Sequence, residues 1–235
     1  MVMLGDTAEA MNNSEVAFIC VGTPSRADGG IDLSTVRKVT QEIAKVLPPL
    51  KDKIGLVFRS TMIPGSMESV VLPPLGDYTR TAYYPEFMRE GNAWEDWLRP
   101  PKIVIGTADA TVQTSLLATF PDTHAPVFWT DFRTAEMVKY VDNAFHATKV
   151  TFANEVGIIA KEVGVDAAEL MKIFVSDRKL NISETYLRPG FAFGGSCLRK
   201  DLRALTTFGK ERGDSLPLLS GILESNEVQI TRALH

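Results

Sequence analysis

The run GFAFGGSCLRKDLRAL, Gly190 to Leu205, sets one cysteine on a glycine turn and follows it with a lysine and an aspartate. Gly194 and Gly195 allow positive φ and a close approach of backbone to a ligand. Ser196 opens a mixed apolar and charged helical pattern, which puts Cys197 near a helix N-terminus, where free N–H groups and the dipole favour a thiolate. Lys200 and Asp201 lie three and four residues further and share a helix face with Cys197. A cation and a general-base candidate would then flank a thiol nucleophile. The plainer reading is a glycine-started helix carrying a small buried hydrophobe, the usual state of a free cysteine. The residues alone leave both open.

A second constellation lies upstream. Val138, Val141, Phe145, Thr148, Phe152, Val156, Ile159 and Val163 step by three or four and predict one apolar stripe on a long helix, whose plain role is packing. Lys139, Asn143, His146 and Asn154 fall on a different face, roughly opposite. Spacing alone makes that face a solvated surface, although an isolated Lys beside Asn and His is less typical of one than Glu/Lys pairs. A third segment, YYPEFMREGNAWEDW from Tyr83 to Trp97, reads by itself as a loop with a charged rim. VGTP at Val21 to Pro24 and RSTMIPG at Arg59 to Gly65 directly follow predicted strands, where open α/β sheets bind ligands. Cys20, inside the apolar run AFICV, is expected in the core.

These groups need a frame. Residues 15 to 130 alternate short apolar runs with amphipathic stretches: EVAFICV, a helix through VRKVTQEIAKVL, IGLVF, MESVVLPPL, strands at Lys102 to Ile105 and Ala125 to Trp129, and a helix over Asp109 to Phe120 between them. The order is that of an α/β domain with a parallel sheet. From Asp131 the pattern turns helical, with a long helix through Gly164, a shorter one over Asp166 to Val175, and a last one from Leu216 to His235. The boundary is expected near Thr130, giving an α/β domain over 1–130 and a helical domain over 131–235. Proline and glycine cluster only at local turns, and no internal repeat is visible.

The cysteine run resembles the active-site loop of the UDP-glucose/GDP-mannose dehydrogenase family, usually written FGGSCLPKD, with Arg199 where the family has proline. KYVDNAFHATKVTFANE resembles the family's central helix, and YYPEFMREG its NPEFLREG loop, with Tyr84 in place of asparagine. The resemblance implies an incomplete Rossmann-like parallel sheet domain that binds NAD over 1–130, followed by an all-helical central, dimerising domain over 131–235. It implies NAD-dependent oxidation of the C6 alcohol of a nucleotide-sugar, of GDP-mannose or UDP-glucose type, to the carboxylate through a cysteine-bound thiohemiacetal and thioester. Cys197 is then the nucleophile, Lys139 and Asn143 stabilise the oxyanion, and Asp201 with Glu86 manages protons. Thr23, Ser60, Thr61, Glu86 and Lys200 face the cofactor, with the hydroxyls offered as donors to ribose or nicotinamide amide. Phe87, Met88, Arg89, His146, Asn154, Arg188 and Gly195 face the substrate. The stretches lean toward the GDP-mannose branch, and a homodimer through the central helices is expected, with the apolar stripe partly at its interface.

Two family features are not found in the sequence. No G-x-G-x-x-G opens a strand-turn-helix, the unit that brings a pyrophosphate to a helix N-terminus, and the C-terminal domain is not recognised either. The chain thus corresponds to the middle of the family. A truncated, non-catalytic dimerisation and substrate-binding remnant is therefore the rival reading. A hydroxyacid-type dehydrogenase has no need of Cys197, and a thiol hydrolase has no histidine placed by sequence to activate it.

Composition bounds the rest. With 235 residues, 45% hydrophobic content and a formal net charge of −4, the chain can build a real core but lacks the positive field of a nucleic-acid binder. No apolar run reaches bilayer-spanning length and MVMLGDTAEA does not read as a signal peptide, so a cytoplasmic protein is expected. Cys20 and Cys197, the two cysteines, form neither a disulfide framework nor a ligand cluster with the three scattered histidines, and no metal site is expected.

Overall fold

The computed structural model of the chain describes residues 6–47, 54–78, 80–120, 124–162, 164–178, 190–211, 213 and 217–234. Its elements run α1 (Thr7–Asn12), β1 (Val16–Ile19), α2 (Ser34–Val46), β2 (Gly55–Phe58), a π-helical turn (Met67–Val71) continuing into α3 (Leu72–Leu75), β3 (Thr81–Tyr83), α4 (Ala93–Leu98), β4 (Ile103–Thr107), α5 (Thr111–Leu117), β5 (Val127–Thr130), α6 (Phe132–Glu162), α7 (Ala167–Ser176), α8 (Ser196–Lys210) and α9 (Pro217–Ala233). They form two compact units: Met1–Arg26 with Ile31–Lys139, and Ala27–Gly30 with Tyr140–His235. The division between these compact units falls inside α6. Phe132, Ala135 and Val138, in the first turns of α6, pack into the core of the first unit.

The sheet of the first unit is ordered β1-β2-β3-β4-β5. It is the expected parallel sheet with one exception, β3 and β4, which are antiparallel through Ala82↔Thr107 and Tyr83↔Gly106. β3 is three residues long, too short to show a periodicity of its own. β2 feeds two cores because successive side chains point to opposite faces. Leu56 and Phe58 of β2 join Val36, Ile43, Met67 and Val71 on one face, while Val57 joins Ile103, Ile105, Val112 and Leu116 on the other. The fully buried run Gly55–Phe58 is what a central parallel strand requires.

Gly106 is a glycine by necessity. A Cβ there would lie 2.8 Å from the Asp131 carbonyl oxygen and 2.9 Å from Phe132 Cα, because the first turn of α6 lies directly on β4. Asp131 starts that helix: its carboxylate accepts from the Thr134 amide at 2.8 Å and the Thr134 hydroxyl at 2.7 Å. These bonds hold its carboxyl below the usual aspartate range.

In α6 the structure reverses the expected faces. Lys139, Asn143 and Asn154 are buried together with Ala135, Tyr140, Ala144, Ala147 and Ala153, whereas Val141, Phe145 and Phe152 are exposed. Small side chains permit close packing, so the alanine face is the inner one and takes the polar residues with it. Of the expected apolar stripe, Val141, Phe145 and Phe152 are left outward, Val138 packs into the first unit's core, and the side chains of Val156, Ile159 and Val163 lie outside those described. Among the described residues no helix is long and apolar enough to cross a membrane.

Candidate active site

Each unit contributes its own group of side chains. In the first unit they gather at the C-terminal ends of β1 and β2, the position where open α/β sheets receive ligands. Ser60 donates its hydroxyl proton to the Val21 carbonyl at 2.8 Å and accepts from the Val21 amide at 3.1 Å. Thr23 donates to the Thr61 carbonyl at 2.9 Å. Both hydroxyl protons are therefore spent on tying one strand end to the next, and what Thr23 and Ser60 can offer a ligand is acceptor lone pairs. Thr61 itself is half-buried on the same edge.

Cys20 is exposed at the end of β1, which corrects its expected place in the core: the strand ends at Ile19 and the next residue leaves the sheet. Its sulfur is nonetheless partly desolvated, which raises the thiol above its ordinary range; the neighbouring Arg59 guanidinium counteracts that rise and the Glu86 carboxylate adds to it. Arg59 stacks on two rings, 4.5 Å from the centroid of Tyr84 and 5.2 Å from that of Trp97, and its Nε is buried with no hydrogen-bond partner. Tyr84 also packs edge-on against Phe120 at 5.0 Å. The departure from asparagine at Tyr84 thus builds an aromatic seat for Arg59.

In the loop after β3, Glu86, Phe87 and Met88 are half-buried. Phe87 packs against the core and under Lys102 Nζ, 5.0 Å from the ring centroid. The Arg89 guanidinium is held by Asp96 at 2.7 and 3.0 Å, and Asp96 accepts from the Arg89 amide at 2.8 Å. This pairing fixes the loop and lowers the Asp96 carboxyl. Glu136, in the first turns of α6, is fully buried and accepts from the amides of Gly65 at 2.6 Å and Met67 at 2.8 Å. It ties the RSTMIPG loop to the helix that bears Lys139. Burial pushes its carboxyl to about 7, against the pull of the two amides; Glu68 adds to the rise and Arg133 opposes it.

In the second unit, α8 starts at Ser196, immediately after Gly195, whose φ is +77°. Cys197 sits in the first turn, near the helix N-terminus where the sequence predicts it, and is exposed, with Ser196 Oγ 3.9 Å from its sulfur. One turn on, Asp201 is buried. Its Oδ2 accepts from Asn143 Nδ2 of α6, and Lys200 Nζ lies 3.7 Å from Oδ1, an oxygen that is buried with no hydrogen bond. The structure thus brings together Asn143, Lys200, Asp201 and the first turn carrying Cys197. Lys139 is four residues before Asn143 on α6, in the first unit, and His146 is half-buried one turn after Asn143. Arg188 lies outside the described residues.

Asn154 is committed to the loop that leads to the cysteine: Oδ1 accepts from the Gly190 amide at 2.8 Å and Nδ2 donates to the Phe191 carbonyl at 3.3 Å. Three residues were not found by sequence reasoning. Glu136 gives no motif signal. Asn226 and Gln229 of α9 also hold the loop, and a polar Asn buried in mid-helix, where its propensity is poor, was the one available cue.

A mostly parallel α/β sheet with polar groups at its strand ends is the architecture of a nucleotide-binding α/β domain, here followed by helices that bury polar side chains and present a cysteine at a helix start. The family comparisons specify it further. The NAD-binding domain of the UDP-glucose/GDP-mannose dehydrogenase family matches residues 2–122, and the central domain of that family matches 133–228. The chain belongs to the UDP-glucose/GDP-mannose dehydrogenase family. A GDP-mannose 6-dehydrogenase of Pseudomonas putida is 44% identical over 97% of this chain and 54% of its own length. Among solved structures, a UDP-glucose dehydrogenase from Pyrobaculum islandicum superposes with a TM-score of 0.86 at 34% identity, covering 96% of this chain and 53% of that one. The ternary complex of GDP-mannose dehydrogenase from Pseudomonas aeruginosa superposes at 0.74 and 41%, covering 98% and 55%. The chain spans about half the length of the curated relatives it matches.

Proposed function

We propose that this chain carries the catalytic nucleophile for NAD-dependent oxidation of a nucleotide-sugar C6 alcohol to the carboxylate, on a GDP-mannose or UDP-glucose type substrate. The observation that carries the reading is the buried Asn143–Asp201 hydrogen bond, which sets Asn143 of α6 against the first turns of the helix that holds Cys197. The strand-end groups fit a nicotinamide nucleotide in part: Thr23 and Ser60 supply acceptors, and Arg59 Nε is a buried donor without a hydrogen-bond partner among the described residues. NAD, when bound, takes up the hydrides.

The residues of the chain do the remainder. Loss of a hydride and a proton from the alcohol leaves an aldehyde, whose carbonyl carbon the Cys197 thiolate attacks. The C–S bond forms as the carbonyl π pair moves to oxygen, giving a thiohemiacetal. Lys139 and Asn143 stabilise that oxygen. Departure of a second hydride re-forms the carbonyl as a thioester; water then adds, the C–S bond breaks toward sulfur, and the carboxylate and thiol are released. Asp201, with Glu86, handles the protons of the alcohol and of the attacking water. Lys200 meets the negative charge of cofactor or substrate, and by resemblance to the family Glu86 to Arg89, His146, Asn154, Arg188 and Gly195 are the candidate contacts of the sugar nucleotide. The exposed apolar residues Val141, Phe145 and Phe152 on α6 support pairing of two copies through this helix.

The test is NADH formation by the purified chain with NAD and either GDP-mannose or UDP-glucose. Turnover with one of them supports the reading and names the sugar. A folded chain that makes no NADH with any nucleotide-sugar is a substrate-binding and dimerisation module instead.

A further inference from the structure

The cysteine loop is held by side-chain amides rather than by neighbouring strands. On one side α9 supplies two of them. Asn226, 2% exposed, accepts from the Phe193 amide through Oδ1 at 2.8 Å and donates to the Phe193 carbonyl through Nδ2 at 3.2 Å. Its carboxamide thus pairs with a single residue as a β-ladder partner would. Gln229, one turn on, donates through Nε2 to the Gly190 carbonyl at 2.6 Å. Between these two, Glu227 accepts from Arg199, two residues past the cysteine and at the position where the chain departs from FGGSCLPKD. One short stretch of α9 therefore grips the chain on both sides of Cys197.

These ties differ in worth. The Arg199–Glu227 pair is roughly half exposed at both side chains and contributes little in water. The Asn226 pairing is buried, and losing it would leave the Phe193 N–H and C=O without partners in a site closed to water, which is costly. Phe193 precedes Gly194 and Gly195, a pair that gives the backbone freedom. With no tie upstream of them, nothing in the glycine pair itself would fix where α8 begins.

We propose that Asn226 and Gln229 are the positioning residues of the nucleophile: by clasping Phe193 and Gly190 they fix the start of α8 and hence the place of the Cys197 thiol. The proposal rests on Cys197 being the reactive thiol of the site, but not on NAD or a sugar being bound. Loosening the clasp lets the first turn of α8 fray, and the Cys197 thiol loses its fixed place.

The test is the iodoacetamide alkylation rate of Cys197 at neutral pH, followed by intact mass, in a Cys20→Ser background, with helix content and melting recorded alongside. Asn226→Leu, which keeps size but removes both hydrogen bonds, should change the alkylation rate by at least about threefold, because that rate follows how the sulfur is presented to a free reagent. Asn226→Asp keeps the acceptor for the Phe193 amide and should fall between Leu and the parent, Gln229→Leu should show a smaller change of the same sign, and Val228→Ala, on the same helix but exposed, should match the parent. Parent-like alkylation in Asn226→Leu with parent-like helix content would overturn the proposal. Should Asn226→Leu fail to fold, parent-like rates in both Asn226→Asp and Gln229→Leu would do the same. A shifted alkylation rate in a chain that makes no NADH would retire the dehydrogenase reading and leave the clasp standing.

Discussion

Removing Asn143 should destabilise the second unit in a way that depends on Asp201. Asn143→Ala deletes the donor to Asp201 Oδ2, and both residues are buried, at 7% and 2% exposure. A hydrogen bond to a charged group contributes about 1.5–3 kcal/mol. The carboxylate left behind has Lys200 Nζ at 3.7 Å as its remaining partner, so part of the cost of a stranded buried charge is added, and we expect a total of about 3 kcal/mol. Asp201→Ala removes the charge as well as the bond, so the double variant should be less unstable than the sum of the singles, with a coupling of about 2 kcal/mol. Urea unfolding followed by far-UV circular dichroism is the assay. Trp94, Trp97 and Trp129 all belong to the first unit, so their fluorescence would miss the affected helices. A coupling below about 0.5 kcal/mol would refute the reasoning: the two side chains would then not share a buried bond in solution.

Three further outcomes follow from single contacts. Gly106→Ala should cost about 3 kcal/mol, a fall in melting temperature of roughly 6–12 °C for a chain of this size, because the new Cβ meets the backbone of Asp131 and Phe132; an unchanged melting temperature would contradict the packing of α6 on β4. Glu136 has a folded-state carboxyl raised from 4.5 to about 7, so its neutral form is favoured by folding. That contribution is fully present below the unfolded value, is lost as pH rises through about 7, and amounts at most to about 3 kcal/mol. Glu136→Gln should flatten this part of the stability profile relative to the parent, measured by urea unfolding across the window, and an identical slope in both proteins would refute it. Finally, in a Cys197→Ser background, Arg59→Ala should move the onset of Cys20 alkylation to higher pH and Glu86→Gln to lower pH, since the guanidinium lowers and the carboxylate raises that thiol; shifts of the opposite sign would show that the two charges do not act on Cys20.

Long, strongly patterned features were legible in the sequence. The helix from Phe132 to Glu162, the helix start at Ser196 and the order of strands and helices around them follow from periodicity and from the glycine pair. The faces of α6 were not. Hydropathy patterns weigh large side chains, and Val141, Phe145 and Phe152 outweigh Ala144, Ala147 and Ala153, yet close packing selects the small ones. Cys20 misled for a related reason: an apolar run marks a strand but does not say at which residue it leaves the sheet. Glu136, Asn226 and Gln229 were invisible because each acts on backbone groups far away in sequence, Gly65 and Met67 for the first and Gly190 and Phe193 for the others, and no local spacing encodes such a pairing.

The central claim is that Cys197 carries a four-electron oxidation, and it is tested most directly by the ratio of NADH formed to nucleotide-sugar consumed, in the parent and in Cys197→Ser. The account predicts two NADH per sugar in the parent and loss of that yield in the variant. One NADH per sugar, unaffected by the substitution, would contradict it, because the thiol would then have no part in the reaction.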